Sequence, residues 1–137
     1  MVLAENQKIR ISSKAENMIL VERMVEDVCD VFNINEDYYG NILVSITEAV
    51  NNAIYHGNKA NPNKSIDITF KTHPDRVSFS VKDEGEGFNH HHLPDPTNPE
   101  NIEKPNGRGI FLMRNLSDSI AFEENGSKVI LNFRVKD

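Results

Sequence analysis

The sequence has 137 residues, which suits one domain, residues 1–137, with a core of its own. Its formal net charge of -6 argues against a dedicated nucleic-acid-binding surface, because such surfaces are basic. The single cysteine, Cys29, excludes a disulfide scaffold and indicates a reducing interior, and its apolar helical surroundings predict a core position. No long apolar run and no N-terminal signal pattern occurs, so we expect a cytoplasmic protein.

A short strand and a helix open the chain. Residues 8–12 alternate between polar and apolar side chains, as a strand at the edge of a sheet does. Ser12 or Ser13 is a candidate N-cap, and Glu16 stands three residues after Ser13 as in a capping box. These features predict a helix over 14–32.

This first predicted helix carries two apolar stripes. The main stripe contains Met18, Val21, Val25, Val28 and Phe32, and the second contains Leu20, Met24 and Val31. A helix with two such stripes is either covered on two sides within the domain or contacts another subunit or partner.

A second helix is predicted over 35–56. Glu36 and Asp37 suit its positive N-terminal end, and Gly57 is a suitable stop. One face is apolar and must pack on a core. That face contains Ile42, Leu43, Ile46, Val50, Ala53 and Ile54.

The other face of this helix carries a column of polar side chains. Glu48, Asn52 and His56 are spaced four residues apart, so they share one face. A carboxylate one turn from a carboxamide can hold a water or help to hold a hard cation. By itself, such a column is more often a solvated face than a site.

The second half of the chain predicts two hairpins separated by a long loop. Ser65–Thr72 and Arg76–Lys82 alternate and form the first hairpin, and 119–123 with 128–135 form the second. The intervening 84–106 has no such pattern, which is typical of a functional or disordered loop.

A short helix is predicted over 109–116, before the second hairpin. The order of elements then favours an α+β two-layer sandwich. We expect a mostly antiparallel mixed sheet with helices on one face.

Two glycine pairs frame the long loop. Gly85 and Gly87 follow Asp83 at a strand end, where the backbone can turn sharply and approach a flat ligand. An aspartate there can accept a hydrogen bond from an exocyclic amine. Gly107 and Gly109 precede the short helix, whose free N–H groups attract phosphate. The calcium-loop, P-loop and dinucleotide-binding patterns all fail here.

At this point the sequence resembles the GHKL, or Bergerat-fold, ATPases. The three ordered motifs that carry the resemblance are Glu48-x-x-x-Asn52 with His56-Gly57, then Asp83-x-Gly85-x-Gly87, then Gly107-x-Gly109. Within that superfamily, the short chain and the phrase T-E-A-V-N-N-A at residues 47–53 resemble the bacterial anti-sigma-factor serine/threonine kinases.

The resemblance implies ATP and Mg²⁺ as cofactors and a role for each motif. Asp83 would bind the adenine amine, Asn52 would coordinate Mg²⁺, and Glu48 would be the general base. Gly107 and Gly109 would hold the phosphates beneath a lid at about 86–106.

The lid differs from the family pattern. Related kinases often carry a basic residue where Pro105 and Asn106 stand, so Lys104 or Arg108 would have to supply the charge. Ser127 would match a family threonine and keep its hydroxyl without the methyl contact.

Three readings follow from the resemblance. The first is a kinase that phosphorylates an anti-sigma factor antagonist of the STAS type and sequesters a sigma factor, as a homodimer. The second is a nucleotide-gated binding module with little phosphotransfer. The third, a detached ATPase domain of a sensor histidine kinase, lacks a visible dimerisation helix with a phospho-acceptor histidine.

Three adjacent histidines in the loop do not predict a metal site. Adjacent side chains cannot easily converge on one ion. We therefore expect no structural or catalytic metal at His90, His91 and His92.

Overall fold

The computed structural model describes residues 6–85 and 105–135. Within these residues, five strands form one sheet in the order β1-β2-β3-β5-β4, and three α-helices accompany it. The strands are β1 (Asn6–Ser12), β2 (Ser65–Thr72), β3 (Arg76–Lys82), β4 (Ser119–Glu123) and β5 (Lys128–Arg134). The helices are α1 (Met18–Val31), α2 (Glu36–Asn52) and α3 (Pro105–Leu116).

The α+β prediction is confirmed, and the sheet is more regular than expected. Each pairing among the described strands is antiparallel, so this part of the chain has no parallel pair. β1 is an edge strand, as predicted, because it pairs with β2 alone. Both predicted hairpins are present.

The sheet buries one face only. Side chains in β2, β3 and β5 alternate between buried and partly exposed positions, so alternate residues line the core under the helices. Phe70, Phe79 and Phe133 lie on this face, with neighbouring ring centroids 6.3 Å apart. Burying each such ring stabilises the fold by about 1.5–3 kcal/mol. The opposite face is mainly polar and charged, which confirms a two-layer sandwich.

The predicted start of the first helix is wrong. A 3₁₀ turn at Ala15–Asn17 precedes α1, and no side chain caps either helical segment. The Ser13 hydroxyl is buried and donates instead to the carbonyl oxygen of Lys64, at 3.0 Å. The capping box fails because that hydroxyl is already bonded across the domain.

The two stripes of α1 have different environments. The main stripe packs on the core, with Val21, Val25 and Val28 fully buried. In the second stripe Met24 is buried, whereas Leu20 and Val31 are 44% and 38% exposed. Cys29 is buried as predicted, and burial raises the pKa of its thiol to about 11. One side of α1 therefore remains open for a contact.

The second helix begins and ends near the predicted residues. The Asn35 side chain caps α2 by accepting a hydrogen bond from the N–H of Asp37, at 2.9 Å. After α2 the chain makes one π-helical turn, Ala53–Gly57, which places the predicted stop, Gly57, at its end. Such turns are rare and are frequently found at functional sites.

Helix α3 begins four residues earlier than predicted. Pro105 is its first residue, a position that proline favours because its fixed φ suits a helix and its missing N–H has no partner there. Gly107 and Gly109 therefore lie inside the first turns of α3, not ahead of the helix. Among the described residues, no helix combines the length and apolarity that a membrane crossing requires.

Candidate functional site

A pocket opens where the end of α2, the end of β3 and helix α3 meet above the last hairpin. Its walls combine apolar side chains with a few polar groups, as ligand pockets commonly do. The lining residues are Ala49, Asn52, Ala53, His56, Gly57, Val81, Asp83, Ile110, Met113, Phe122, Gly126, Ser127 and Val129.

Asp83 is the acidic group of this pocket. Its backbone N–H donates to the carbonyl oxygen of Ser127 at 2.9 Å, which extends the pairing of β3 with β5 by one bond. Its Oδ1 accepts a hydrogen bond from the N–H of Gly85 at 2.7 Å. Burial raises the pKa of this carboxyl, whereas the Gly85 N–H and the charge of Lys64 act in the opposite direction. Asp83 is thus a fixed hydrogen-bond acceptor in a largely apolar cavity.

Two glycines allow the backbone to come close to Asp83. A Cβ atom on Gly57 would lie 2.3 Å from the carboxyl carbon of Asp83. A Cβ atom on Gly85 would lie 2.1 Å from the carbonyl oxygen of Gly57. Neither distance can be accommodated, so any side chain here would push the end of α2 away from the end of β3.

The polar column of α2 faces α3. A Cβ atom on Gly109 would lie 3.0 Å from Glu48 Oε2 and 3.2 Å from Asn52 Nδ2. The N-terminal part of α3 therefore packs directly on the predicted acid and amide. His56 also lines the pocket, but its side chain is exposed.

Ser127 closes the pocket on the side of the last hairpin. Its side chain is 8% exposed, and its hydroxyl donates to the carbonyl oxygen of Glu124 at 2.8 Å. The preceding turn has three residues with positive φ, at Glu124, Asn125 and Gly126. The tight turn brings Ser127 back towards Asp83.

The structure brings together most of the predicted site residues. Asn52, Asp83 and Ser127 line one pocket, and Glu48, Gly85 and Gly109 adjoin it. Gly107 and Arg108 lie in the first turn of α3. Gly87, Lys104, the three adjacent histidines and most of the predicted lid lie outside the described residues.

Sequence reasoning missed two parts of this site. One is the apolar wall from α3 and the last hairpin, whose helical and strand periodicities predicted core residues only. The other is Asn58, which is fully buried and directly follows the pocket-lining Gly57. Nothing in its sequence context marks it, because an asparagine that follows a glycine is typical of a surface turn.

The site and fold together define a class of protein. One largely apolar pocket lies among three features. Asp83, a hydrogen-bond acceptor, follows the central strand β3, and two glycines bring the backbone close to it. Helix α2, which carries the acid and the amide, packs against α3. The resemblance to the GHKL ATPases predicts an α+β sandwich whose three motifs meet at one site.

Comparison with known proteins shows the family. The chain belongs to the histidine kinase-like ATPase domain family, which matches residues 11–133. A serine-protein kinase RsbW of Staphylococcus epidermidis is 28% identical over 127 residues, which cover 87% of this chain and 80% of the relative. The RsbW of Staphylococcus aureus strain Newman is 26% identical over 137 residues, covering 94% and 86%.

A solved structure supports the fold independently. The crystal structure of the RsbU and RsbW domains of a Mycobacterium tuberculosis protein superposes with a TM-score of 0.62 at 16% identity. The match covers 95% of this chain and 32% of that chain, so the present sequence spans about a third of it.

The glycine contacts make a prediction about stability. We expect Gly57→Ala and Gly85→Ala each to lower the free energy of unfolding by about 1–3 kcal/mol, because the added methyl group meets Asp83 or the Gly57 carbonyl. Gly40→Ala is the matched control, since a Cβ atom there meets nothing within 4 Å. Because Gly40 lies inside α2, Gly40→Ala should raise the free energy of unfolding by about 0.5–1 kcal/mol. Urea unfolding of the three variants tests this, and equal effects would contradict the close contact.

Proposed function

We propose that this protein is an ATP-dependent protein serine/threonine kinase that also acts as an anti-sigma factor. In this proposal it phosphorylates an anti-sigma factor antagonist of the STAS type and sequesters a sigma factor. The observation that carries the proposal is the meeting of Asn52, Asp83 and Ser127 in one pocket, with Gly109 on the acid–amide column. The names of the RsbW relatives support the same activity.

Asp83 recognises the adenine ring in this proposal. Its ionised carboxylate accepts a hydrogen bond from the exocyclic amine, and the bond is strong because the acceptor is charged. Ile110, Met113 and Val129 provide the apolar walls that a flat ring requires. The Ser127 hydroxyl lines the same pocket as Asp83, and in this proposal it makes a second polar contact to the adenine ring.

Asn52 and Glu48 lie where the phosphates would be held. The amide oxygen of Asn52 suits Mg²⁺, which prefers hard oxygen ligands and keeps several waters, so one amide oxygen with phosphate oxygens suffices. Among the described residues, no group of three or more acidic, histidine or cysteine side chains could hold a metal by itself. Bound Mg²⁺ would neutralise charge on the phosphates.

Phosphate binding would fall to the first turn of α3. Backbone N–H groups at a helix N-terminus bind anions, and Gly107 allows close approach. Lys104 and Arg108 are the candidate cations, and Gly85 and Gly87 would shape the opposite rim. These roles rest on the resemblance to the family.

The proposed reaction transfers the γ-phosphoryl group of ATP to a serine or threonine hydroxyl. Glu48 accepts the hydroxyl proton as the oxygen attacks phosphorus, and the bond to the β-phosphate oxygen breaks, which leaves ADP. The contact between Gly109 of α3 and the Glu48 carboxylate supports this role, because the proposal assigns phosphate binding to the N-terminal part of α3.

One observation favours a second function. Pro105 begins α3, where related kinases often carry a basic residue. If no other cation reaches the phosphates, the protein would bind nucleotide and regulate a partner with little phosphotransfer.

We further propose that the protein acts in the cytoplasm as a homodimer. Edge strand β1 and helix α1 form a groove whose apolar lining includes Ile9, Leu20, Met24 and Phe70. Leu20 is 44% exposed and the neighbouring Ile19 is 51% exposed. Among the described strands β1 pairs with β2 alone, and a free strand edge of this kind beside an apolar groove suits a self-complementary contact.

The adenine role of Asp83 makes the first prediction. Asp83→Asn removes the charged acceptor, so we expect ATP affinity to fall about 100-fold in calorimetry, equivalent to ~2.7 kcal/mol. Asp75→Asn, at the opposite end of β3, should leave the affinity unchanged. Unchanged affinity in Asp83→Asn would rule out the adenine role.

The raised pKa of Asp83 adds a pH dependence. ATP affinity of the wild type should fall as pH is lowered through that pKa, because protonation removes the charged acceptor. The free energy of unfolding depends on pH in the opposite direction. The stabilisation linked to protonation of Asp83 is fully present below the ordinary aspartate pKa, and it is lost as the pH rises through the raised pKa of the folded state. Asp83→Asn should therefore stay folded at neutral pH.

The base role of Glu48 makes the second prediction. Glu48→Gln keeps the size of the side chain and removes its basicity, and Glu48 does not hold the metal in this proposal, so Mg-ATP affinity should remain within about twofold, within ~0.4 kcal/mol. Transfer of labelled phosphate to a STAS-type acceptor should fall about 10²–10⁴-fold. Undiminished phosphorylation would exclude Glu48 as the base.

The dimer proposal is tested by a charge in the groove. We expect Leu20→Asp to convert the dimer to a monomer in light scattering, because an unpaired carboxylate would have to be buried. Val44→Asp, an equally exposed position on α2, is the control and should stay dimeric. A monomeric wild type would refute this part of the proposal.

A further inference from the structure

Asn58 is a fully buried polar residue next to the pocket-lining Gly57, and the proposed reaction does not use it. Its side chain has 0% exposure and forms three hydrogen bonds. Nδ2 donates to Ser13 Oγ at 2.6 Å and to the carbonyl oxygen of Ser65 at 3.0 Å. Oδ1 accepts from the N–H of Glu84 at 2.8 Å. One amide group thus joins the loop before α1, the start of β2 and the residue after Asp83.

The backbone is distorted in a way that directs Asn58 inward. The π-turn ends with a hydrogen bond from the N–H of Asn58 to the carbonyl oxygen of Ala53, at 2.8 Å. The next two residues, Lys59 and Ala60, have φ of 52° and 56°, a left-handed conformation that non-glycine residues rarely adopt. Such local strain persists only where the surrounding structure enforces it.

The segment that Asn58 holds is the one that carries the adenine-binding aspartate. Glu84 is held by its backbone and by its side chain. Its N–H donates to Asn58, and its carboxylate accepts a hydrogen bond from the N–H of Ser65 at 2.5 Å. Gly85 follows, and its N–H donates to Asp83. The position of the Asp83 carboxylate therefore depends on a loop that Asn58 fixes to β2.

We propose that Asn58 is a positioning residue for nucleotide recognition, which sets the Asp83 carboxylate at the distance and angle that an adenine amine requires. This inference rests on the proposed ATP-binding function. In this role Asn58 contributes to the preference of the pocket for adenine over other nucleobases. It takes no part in binding the phosphates.

Only an amide satisfies the three partners of Asn58. Two acceptors, Ser13 Oγ and the Ser65 carbonyl, face its NH₂ group, and one donor, the Glu84 N–H, faces its oxygen. Asn58→Asp would place a carboxylate oxygen against the Ser65 carbonyl. Asn58→Ala would leave the Glu84 N–H without this partner, so the loop could shift.

The test compares nucleotide selectivity with phosphate recognition. Calorimetric affinities for ATP, GTP and ADP are measured for the wild type and Asn58→Ala, well below the unfolding temperature of each. We expect ATP affinity to fall at least tenfold and the preference for ATP over GTP to shrink by a similar factor. The ratio of ATP to ADP affinity should stay within twofold, because the phosphates are held elsewhere.

A matched control separates this role from simple stabilisation. Asn61 lies exposed in the same loop and accepts one local hydrogen bond, from the N–H of Asn63. Asn61→Ala should leave all three affinities unchanged. A folded Asn58→Ala protein that keeps its ATP affinity and its preference would overturn the inference while leaving the proposed function intact.

A second variant decides the matter if Asn58→Ala does not fold. Ser13→Ala removes one partner and keeps the bonds to Ser65 and Glu84, so the preference for ATP over GTP should fall by a smaller factor. An unfolded Asn58→Ala together with an unaffected Ser13→Ala would assign Asn58 to folding alone and overturn the inference. A wild type that binds no adenine nucleotide would overturn both this inference and the proposed function.

Discussion

The close contact between the end of α2 and the end of β3 is the constraint on which the rest of the site depends. Gly57 touches the Asp83 carboxylate, and Gly85 touches the Gly57 carbonyl, at distances that leave no space for a side chain. Because the two segments meet here, the pocket has an acidic group at its base and the polar column of α2 along its wall. The π-turn after α2 is part of this arrangement, because it ends at Gly57, the residue that makes the contact.

The one-sided sheet explains why this contact can be rigid. Alternating apolar residues of β2, β3 and β5 form a continuous floor, and α2 packs across it with Ile42, Ile46 and Val50 fully buried. The same helix therefore supplies core contacts on one side and the acid and amide on the other. A site built on a helix anchored in this way is more precise than a site built on loops.

Much of the fold could be predicted because it follows from local patterns. Ser65–Thr72 and Arg76–Lys82 were predicted at the residues where the structure has them, since strict alternation and the intervening turn leave little freedom. The capping box failed because Ser13 bonds to Lys64 and Asn58, which lie about 50 residues away along the chain. No local pattern records such a partner. The start of α3 was missed because a proline after a long loop is as typical of loop as of a helix start.

The candidate site was predictable as a set of residue types but not as a geometry. The order of Glu48, Asn52, Asp83 and the glycines indicated a nucleotide site through the family resemblance. The contact of Gly57 with Asp83 and the burial of Asn58 arise only when the chain is folded. A single sequence does not show which asparagine in a run of turn-forming residues points inward.

The bonds of Asn58 connect positions 45 and 26 residues apart in sequence, so a fragment that lacks Ser13 or Glu84 would lose one of them. Long-range closures of this kind are late and slow steps in folding. A ligand that binds the pocket in the folded state alone would raise the free energy of unfolding of the entire chain. At a hundredfold excess over Kd, this increase would be about 2.7 kcal/mol.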